Sequence, residues 1–183
     1  NIMLKNKKGI IFGIANDHSI AWGISKKLSE YGAELALTYQ NDTLLKRIRP
    51  LSEKINTKLL IECDFSRLDS IKQCFDKLNQ EWKNIDFVVH AAAFSDKNEL
   101  NGRYIDTSLT NFINTLNISC YSFTEISRLA SSMMNNGGSL LTLSFYGANK
   151  VMPNYNVMGV AKAALEMSVK YLSVDLGSKN IRV

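Results

Sequence analysis

The feature that most constrains the fold is a regular alternation of short apolar runs with longer segments of helical periodicity. The apolar runs have the length of strands, and the longer segments repeat their apolar residues every three or four positions, as amphipathic helices do. The predicted strands cover residues 9–14, 34–39, 58–63, 85–93, 139–144 and 181–183, and the predicted helices cover about 20–31, 43–54, 68–82, 107–134 and 155–177. This alternation indicates a parallel sheet with helices on both faces, so we predict a three-layer, doubly wound α/β fold.

One domain accounts for residues 1–183, because the chain has no internal repeat, no low-complexity tract and no linker rich in Pro or Gly. We expect Pro50 to bend or shorten the second helix. The chain begins without Met and stops at Ile181-Arg182-Val183, which has the character of an opening strand. We therefore expect a fragment that lacks a C-terminal part.

The cysteines and histidines suggest no metal. Three cysteines lie far apart without a C-x-x-C motif, which predicts neither a disulfide framework nor a zinc site. His90 lies alone in an apolar run and is interpreted as a hydrogen-bonded core residue, and His18 as a turn residue. With no signal peptide and no membrane span in the sequence, we expect a cytoplasmic protein.

Basic residues exceed acidic ones by 22 to 17, a formal net charge of +5. A basic balance can indicate a nucleic acid, a membrane surface or an acidic partner. Here the basic residues are scattered among acids without an arginine-rich run, so we interpret most of them as solvated surface and predict neither nucleic acid nor membrane as a partner. A weak attraction for an acidic carrier protein or a phosphorylated cofactor stays open.

Residues at the ends of the first three strands suggest a nucleotide. Gly13, in the first strand-to-helix turn, would let backbone approach a pyrophosphate, although the usual G-x-G-x-x-G is absent and an ordinary turn glycine is the simpler reading without further evidence. The second strand ends in Gln40 rather than in an acid. Gln40 can hydrogen-bond an adenosine edge, and it has no basic neighbour to accept a 2′-phosphate, which favours NADH over NADPH. Asp64 could accept from an adenine amino group or form a turn, and both readings remain open.

The strongest local signal is a tyrosine and a lysine seven residues apart, Tyr155 and Lys162. Seven residues of helix turn through about 700°, so the two side chains would share a face. A phenol beside an ammonium is a suitable donor to a developing oxyanion, because the positive charge favours the ionised phenol and strengthens its hydrogen bond. Most such pairs in a random helix are unrelated surface residues, so the assignment depends on its context.

Four stretches supply that context, at residues 13–23, 86–91, 94–100 and 152–162. Together and in this order they resemble the enoyl-acyl-carrier-protein reductases of bacterial fatty-acid synthesis, members of the short-chain dehydrogenase superfamily. Ketoreductases of that superfamily carry Tyr-x-x-x-Lys, and Gly159 stands here where their lysine would be. The seven-residue spacing, and Ser19 in the first turn, are similar to the enoyl reductase pattern.

The resemblance implies a Rossmann-type domain that uses NADH to reduce a trans-2-enoyl thioester on acyl-carrier protein, in a homotetramer. It implies cofactor contacts from Gly13, Ser19, Ile20, Gln40, Asp64, Phe65, Ala92 and Lys162. It also implies substrate contacts from Ser95 and Tyr155, with Tyr155 and Lys162 as the catalytic pair. Phe145 replaces a tyrosine that the family usually carries, and Tyr146 follows it, so we expect Phe145 to be a pocket wall without an acid role. The family's substrate-covering loop would follow Val183.

In the implied mechanism, hydride reaches the β-carbon of the enoyl thioester, Tyr155 holds the enolate oxygen and Lys162 orients the cofactor. The alternative among enzymes is a 3-oxoacyl or other carbonyl reductase of the same superfamily. The alternative of another class is a non-catalytic dinucleotide-sensing protein, because fold does not imply function.

Overall fold

The computed structural model describes residues 2–183. Within that range one sheet contains six strands, β1 (Lys8–Phe12), β2 (Glu34–Tyr39), β3 (Leu59–Glu62), β4 (Phe87–His90), β5 (Gly138–Thr142) and β6 (Ile181–Arg182). Their spatial order is β3-β2-β1-β4-β5-β6, and each neighbouring pair is parallel. This confirms the predicted doubly wound sheet. The strand order changes direction between β1 and β4, where such sheets bind ligands.

Helices cover both faces of the sheet. They are α1 (Ile20–Glu30), α2 (Asp42–Lys54), α3 (Leu68–Glu81), α4 (Lys97–Leu100), α5 (Leu109–Leu116), α6 (Ser122–Ser131) and α7 (Asn156–Gly177). Successive residues of β1 serve opposite faces, because strand side chains alternate. Ile10 and Phe12 join a cluster with residues of α3, α6 and α7, whereas Ile11 joins a second cluster with residues of α1 and α2. The predicted three layers are therefore confirmed.

Two details depart from the sequence expectations. The predicted helix over 107–134 is interrupted, since a π-helical turn at Asn117–Tyr121 joins α5 to α6. Pro50 lies inside α2, and the prediction that it shortens this helix is wrong because α2 continues to Lys54. The buried side chains of Ile48 and Leu51 hold α2 against the sheet on both sides of the proline, and tertiary packing of this kind outweighs one lost backbone hydrogen bond.

The segment from 94 to 106, which shows no periodicity in the sequence, contains α4 and a 3₁₀ turn at Tyr104–Asp106. Among residues 2–183, no helix is long and apolar enough to cross a membrane. The same described range contains no group of His, Cys, Asp and Glu side chains that could hold a metal ion. The thiols of Cys63, Cys74 and Cys120 are free and buried.

Candidate functional site

A cavity of about 380 Å³ lies at the carboxyl ends of β1 to β4. Its size falls within the usual range for small-molecule sites. Five of the predicted cofactor contacts line it, namely Gly13, Gln40, Asp64, Phe65 and Ala92. Sequence reasoning missed the wall that Asn114 and Ile118 add from α5 and the π-helical turn. No sequence signal identifies that wall, because a periodic helix does not reveal which of its faces will meet a distant loop.

Gly13 is required by the backbone itself. Its φ is +107°, and a Cβ built on it would lie 2.5 Å from the carbonyl oxygen of Ala91. Any side chain would therefore separate the first turn from the end of β4. The glycine keeps these two segments close together at the mouth of the cavity.

Ser19 and Ile20 lie at the start of α1, outside the cavity lining. The Ser19 hydroxyl accepts hydrogen bonds from the backbone N–H groups of Ala15, at 2.9 Å, and Asn16, at 3.2 Å. These two hydrogen bonds stabilise the turn at residues 15–19. Ile20 is 68% exposed.

Asp64 and Phe65 line the cavity just after the end of β3. One carboxylate oxygen of Asp64 accepts from the backbone N–H of Ser66 at 2.9 Å and from its hydroxyl at 2.7 Å. Asp64 is thus a turn former, and it also lines the cavity, so the two readings left open by the sequence are compatible. The Phe65 ring stacks on His90, with 5.5 Å between ring centroids.

His90 is a buried, fully hydrogen-bonded core residue, as predicted. Its Nδ1 lies 2.8 Å from the Thr142 hydroxyl and its Nε2 lies 2.8 Å from the Ser122 hydroxyl. Because Ser122 donates its proton to the carbonyl of Ile118, it accepts from Nε2–H, and Nδ1 accepts from Thr142. Burial lowers the pKa of His90 to about 3, with a further contribution from the charge of Lys162. The neutral ring links β4 to the end of β5 through Thr142 and to the start of α6 through Ser122.

Tyr155 immediately precedes α7, with φ −121° and ψ −28°. Its ring packs on Phe145 at 4.9 Å between centroids. Phe145 is 46% exposed and lines neither the cavity at the strand ends nor the one beside Ser95, so its role as a pocket wall stays a prediction. Burial raises the pKa of the Tyr155 hydroxyl. The expectation that a lysine charge would favour the ionised phenol is therefore wrong: burial dominates, and the helical geometry assumed between the two residues does not extend back to Tyr155.

Lys162 lies one and a half turns into α7 with only 8% of its surface exposed. Its ammonium donates to the carbonyl oxygen of Leu143 at 2.9 Å. Burial lowers the pKa of this lysine. An ammonium carries three donors, and this one hydrogen bond is the only one that Lys162 makes among the described residues.

Ser95 is buried in a small polar cluster. Its hydroxyl accepts from Asn111 Nδ2 at 3.0 Å and from the Thr115 hydroxyl at 2.8 Å. It lines a second cavity of about 870 Å³, which shares Phe94 and Asn114 with the first. The predicted substrate contact thus lies beside the cavity at the strand ends, and sequence reasoning missed its two helical partners.

Comparison with known proteins identifies the family. The family model described as enoyl-(acyl carrier protein) reductase matches residues 13–183. The chain belongs to this family. It is 57% identical over 181 residues to the NADH enoyl-[acyl-carrier-protein] reductase 1 of Rhizobium meliloti, an alignment that covers 99% of this chain and 66% of that protein. The chain therefore spans about two thirds of the length of this curated relative.

Solved structures agree with the family assignment. The enoyl-(acyl-carrier-protein) reductase of Anaplasma phagocytophilum, in complex with NAD, is 58% identical with a TM-score of 0.98, over 100% of this chain and 70% of its own. The Bacillus cereus enzyme, with NADP+ and indole naphthyridinone, is 41% identical with a TM-score of 0.97, over 100% of this chain and 72% of its own. Both the predicted family and the predicted Rossmann-type fold are confirmed.

Gly159 occupies a position in α7 that has no room for a side chain. A Cβ built on Gly159 would lie 2.8 Å from the carbonyl oxygen of Gly147 and 3.5 Å from Cδ2 of Tyr155. The start of α7 therefore packs directly on the turn at 146–148. A lysine at position 159 would push these segments apart, whereas position 162 lies one turn deeper in the helix.

Proposed function

We propose that the protein reduces trans-2-enoyl thioesters on acyl-carrier protein to saturated acyl thioesters with NADH, the last step of the fatty-acid elongation cycle. The observation that carries the proposal is the buried ammonium of Lys162, which uses one of its three donors. A buried charge with unused donors is costly unless a ligand takes them up. The hydroxyl groups of a nicotinamide ribose fit these donors, and the close approach of backbone at Gly13 fits a pyrophosphate.

NADH, when bound, supplies a hydride to the β-carbon of the substrate. Tyr155 acts on the other end of the conjugated system, where negative charge develops on the thioester oxygen. A phenol is protonated at neutral pH, and burial raises the pKa of Tyr155 further, so Tyr155 donates a hydrogen bond to that oxygen as a neutral acid. Lys162 holds the cofactor, and Phe145 fixes the ring of Tyr155.

The test is a Tyr155→Phe variant of a chain extended to the length of the curated relatives. We expect turnover of an enoyl thioester to fall about 10²- to 10³-fold, since one oxyanion donor is lost, with the NADH dissociation constant unchanged. Tyr146→Phe is the matched control, because Tyr146 is 56% exposed and lies one residue from Phe145. Wild-type turnover in Tyr155→Phe would remove Tyr155 from the mechanism.

Lys162→Ala tests the cofactor role separately. We expect weaker NADH binding by fluorescence titration, because the variant lacks the buried donors. Unchanged affinity would contradict the assignment. Offering a 3-oxoacyl thioester beside the enoyl thioester distinguishes the carbonyl reductase alternative, and NADH binding without turnover of either would favour a dinucleotide-sensing protein.

The preference for NADH rests on Gln40, which is exposed at the end of β2. An exposed amide next to the adenosine offers no charge to a 2′-phosphate. We expect NADH to be oxidised faster than NADPH at equal concentration, and the reverse order would overturn the preference.

We further propose that the protein works as a homotetramer in the cytoplasm. One face of α7 exposes apolar side chains three, four or seven residues apart, Val160, Met167, Tyr171 and Val174. Such a stripe is typical of a face that another helix covers. We expect light scattering to report a tetramer that Tyr171→Glu weakens, and a monomeric wild type would contradict this.

The free, buried thiols suit a reducing compartment.

A further inference from the structure

The residue after Tyr155 has an unusual backbone conformation. Asn156 has φ +30° and Asn154 has φ +60°, so two left-handed residues flank the tyrosine. L-residues rarely adopt these angles, and asparagine is among the few that tolerate them. Such conformations persist only where surrounding contacts hold them, and they cluster at functional sites.

The Asn156 side chain provides a contact of this kind. Its Nδ2, which carries two hydrogens, lies within hydrogen-bond distance of the carbonyl oxygens of Glu99 at 3.2 Å, Gly102 at 3.3 Å and Asn101 at 3.5 Å. These carbonyls lie at and after the C-terminal end of α4, where a helix leaves its carbonyl groups without helical partners. One amide therefore ties the start of α7 to the turn that follows α4.

The same segment is also hydrogen-bonded to the start of α5. The carboxylate of Glu99 accepts from the backbone N–H of Ser108 at 2.6 Å and from its hydroxyl at 2.9 Å. Ser108 caps α5 by accepting from the backbone N–H of Asn111, and Asn111 donates to Ser95. Hydrogen bonds thus run from Asn156 to the residue predicted to contact the substrate.

We propose that Asn156 is a positioning residue, which fixes the Tyr155 hydroxyl relative to the segment 94–102 by holding the carbonyls at the end of α4 and in the turn that follows it. The proposal rests on the proposed function, because Tyr155 has to donate the hydrogen bond to the enolate oxygen for its position to matter. Asn156 acts through the backbone that it shares with Tyr155 and does not touch the reacting atoms.

Two variants remove the clamp in different ways. Asn156→Gly deletes the amide and suits the positive φ, whereas Asn156→Asp keeps the size and presents oxygen to three carbonyl oxygens. Asn154→Gly is the matched control, because it relaxes the other left-handed residue and Asn154 makes no side-chain hydrogen bond among the described residues. All are made in the extended chain, with thermal unfolding to verify the fold.

A displacement of about 1 Å in a catalytic group can cost about 100-fold in rate. We therefore expect kcat on an enoyl thioester to fall about 10- to 100-fold in both Asn156 variants, with KM for NADH within about twofold of wild type. Asn154→Gly should retain wild-type kcat. In crystal structures, the Tyr155 hydroxyl should move in Asn156→Gly and stay in place in Asn154→Gly.

Wild-type kcat in both Asn156 variants, or an unmoved Tyr155 hydroxyl in Asn156→Gly, would overturn the positioning role. An equal loss of kcat in Asn154→Gly would also overturn it, because backbone relaxation alone would then explain the effect. Failure of the proposed function has a different signature: Tyr155→Phe would keep wild-type turnover. The crystallographic readout tests the clamp independently of turnover.

Discussion

Acidification should destabilise the fold through His90, whose ring is 1% exposed at the end of β4. Burial lowers its pKa from 6.5 to about 3, and the charge of Lys162 contributes to the same shift as the second cause. Between these two values the unfolded chain binds a proton that the folded chain does not, so the free energy of unfolding falls as the pH falls. The contribution of His90 to the free energy of unfolding is therefore fully present above pH 6.5, and it is lost progressively as the pH falls towards 3.

The magnitude follows from the size of the shift. Each unit of pKa difference corresponds to about 1.4 kcal/mol, so acidification from pH 7 to pH 4 should cost about 3 kcal/mol through this one group. That is a large part of the stability of a typical domain. The enclosed ring leaves little solvent screening to reduce the effect.

The assay compares urea unfolding of the wild type and His90→Gln at both pH values. Glutamine can donate to Ser122 and accept from Thr142 as the neutral ring does, but it does not titrate. The wild type should lose about 3 kcal/mol more than the variant between pH 7 and pH 4. His18→Gln is the control, because the His18 side chain is 91% exposed. Equal pH dependence in wild type and His90→Gln would refute the reasoning.

Three further substitutions test close contacts. Gly13→Ala forces a Cβ against the Ala91 carbonyl at positive φ. It should lower the free energy of unfolding, measured in urea, by about 1–3 kcal/mol, and it should weaken NADH binding. Unchanged NADH affinity would argue against Gly13 as a cofactor contact. Gly159→Lys recreates the ketoreductase spacing at a site closed by the Gly147 carbonyl, so we expect loss of enoyl turnover without any 3-oxoacyl reduction; a gain of the latter would contradict the steric argument. Ser127→Ala removes a buried hydroxyl that lacks a hydrogen-bond partner among the described residues, and it should leave urea stability unchanged or raise it by up to about 1 kcal/mol. A clear loss would show that this hydroxyl is bonded.

The fold could be predicted from sequence because its signals are local. The strand predicted over 34–39 has the observed bounds of β2, since an exposed helix end and a polar turn delimit its buried run. The strand predicted over 85–93 is too long, because Ala91 to Ala93 are apolar and yet lie beyond the last pairing of β4, at the cavity. Apolar character identifies burial and does not distinguish a strand from the floor of a ligand site.

The candidate site could be predicted only in part. Tyr155 and Lys162 were singled out as candidates by the family resemblance around them, since their spacing alone suits many unrelated surface pairs. The turn before α7 could not be predicted, because positive φ at an asparagine leaves no periodic trace. The π-helical turn at Asn117–Tyr121 was equally invisible, since one extra residue per turn barely alters the apolar spacing. The Ser122 hydroxyl donates to the Ile118 carbonyl within this turn and contacts Nε2 of His90, which lies 32 residues earlier in the chain.

These features change the physical account of the proposed catalytic pair, Tyr155 and Lys162. A lysine charge close to a phenol would favour the phenolate, which has no proton to donate, whereas Lys162 and Tyr155 have separate surroundings here. The charge of Lys162 is directed at the Leu143 carbonyl and leaves donors for a ligand, and burial alone sets the pKa of Tyr155 above its ordinary value. A neutral phenol is the state that can give a hydrogen bond to a developing enolate. The seven-residue spacing therefore matters less because it gives a shared helical face than because it leaves space at position 159. Gly159 lets α7 approach the turn at 146–148, and Lys162 lies one turn further along the helix.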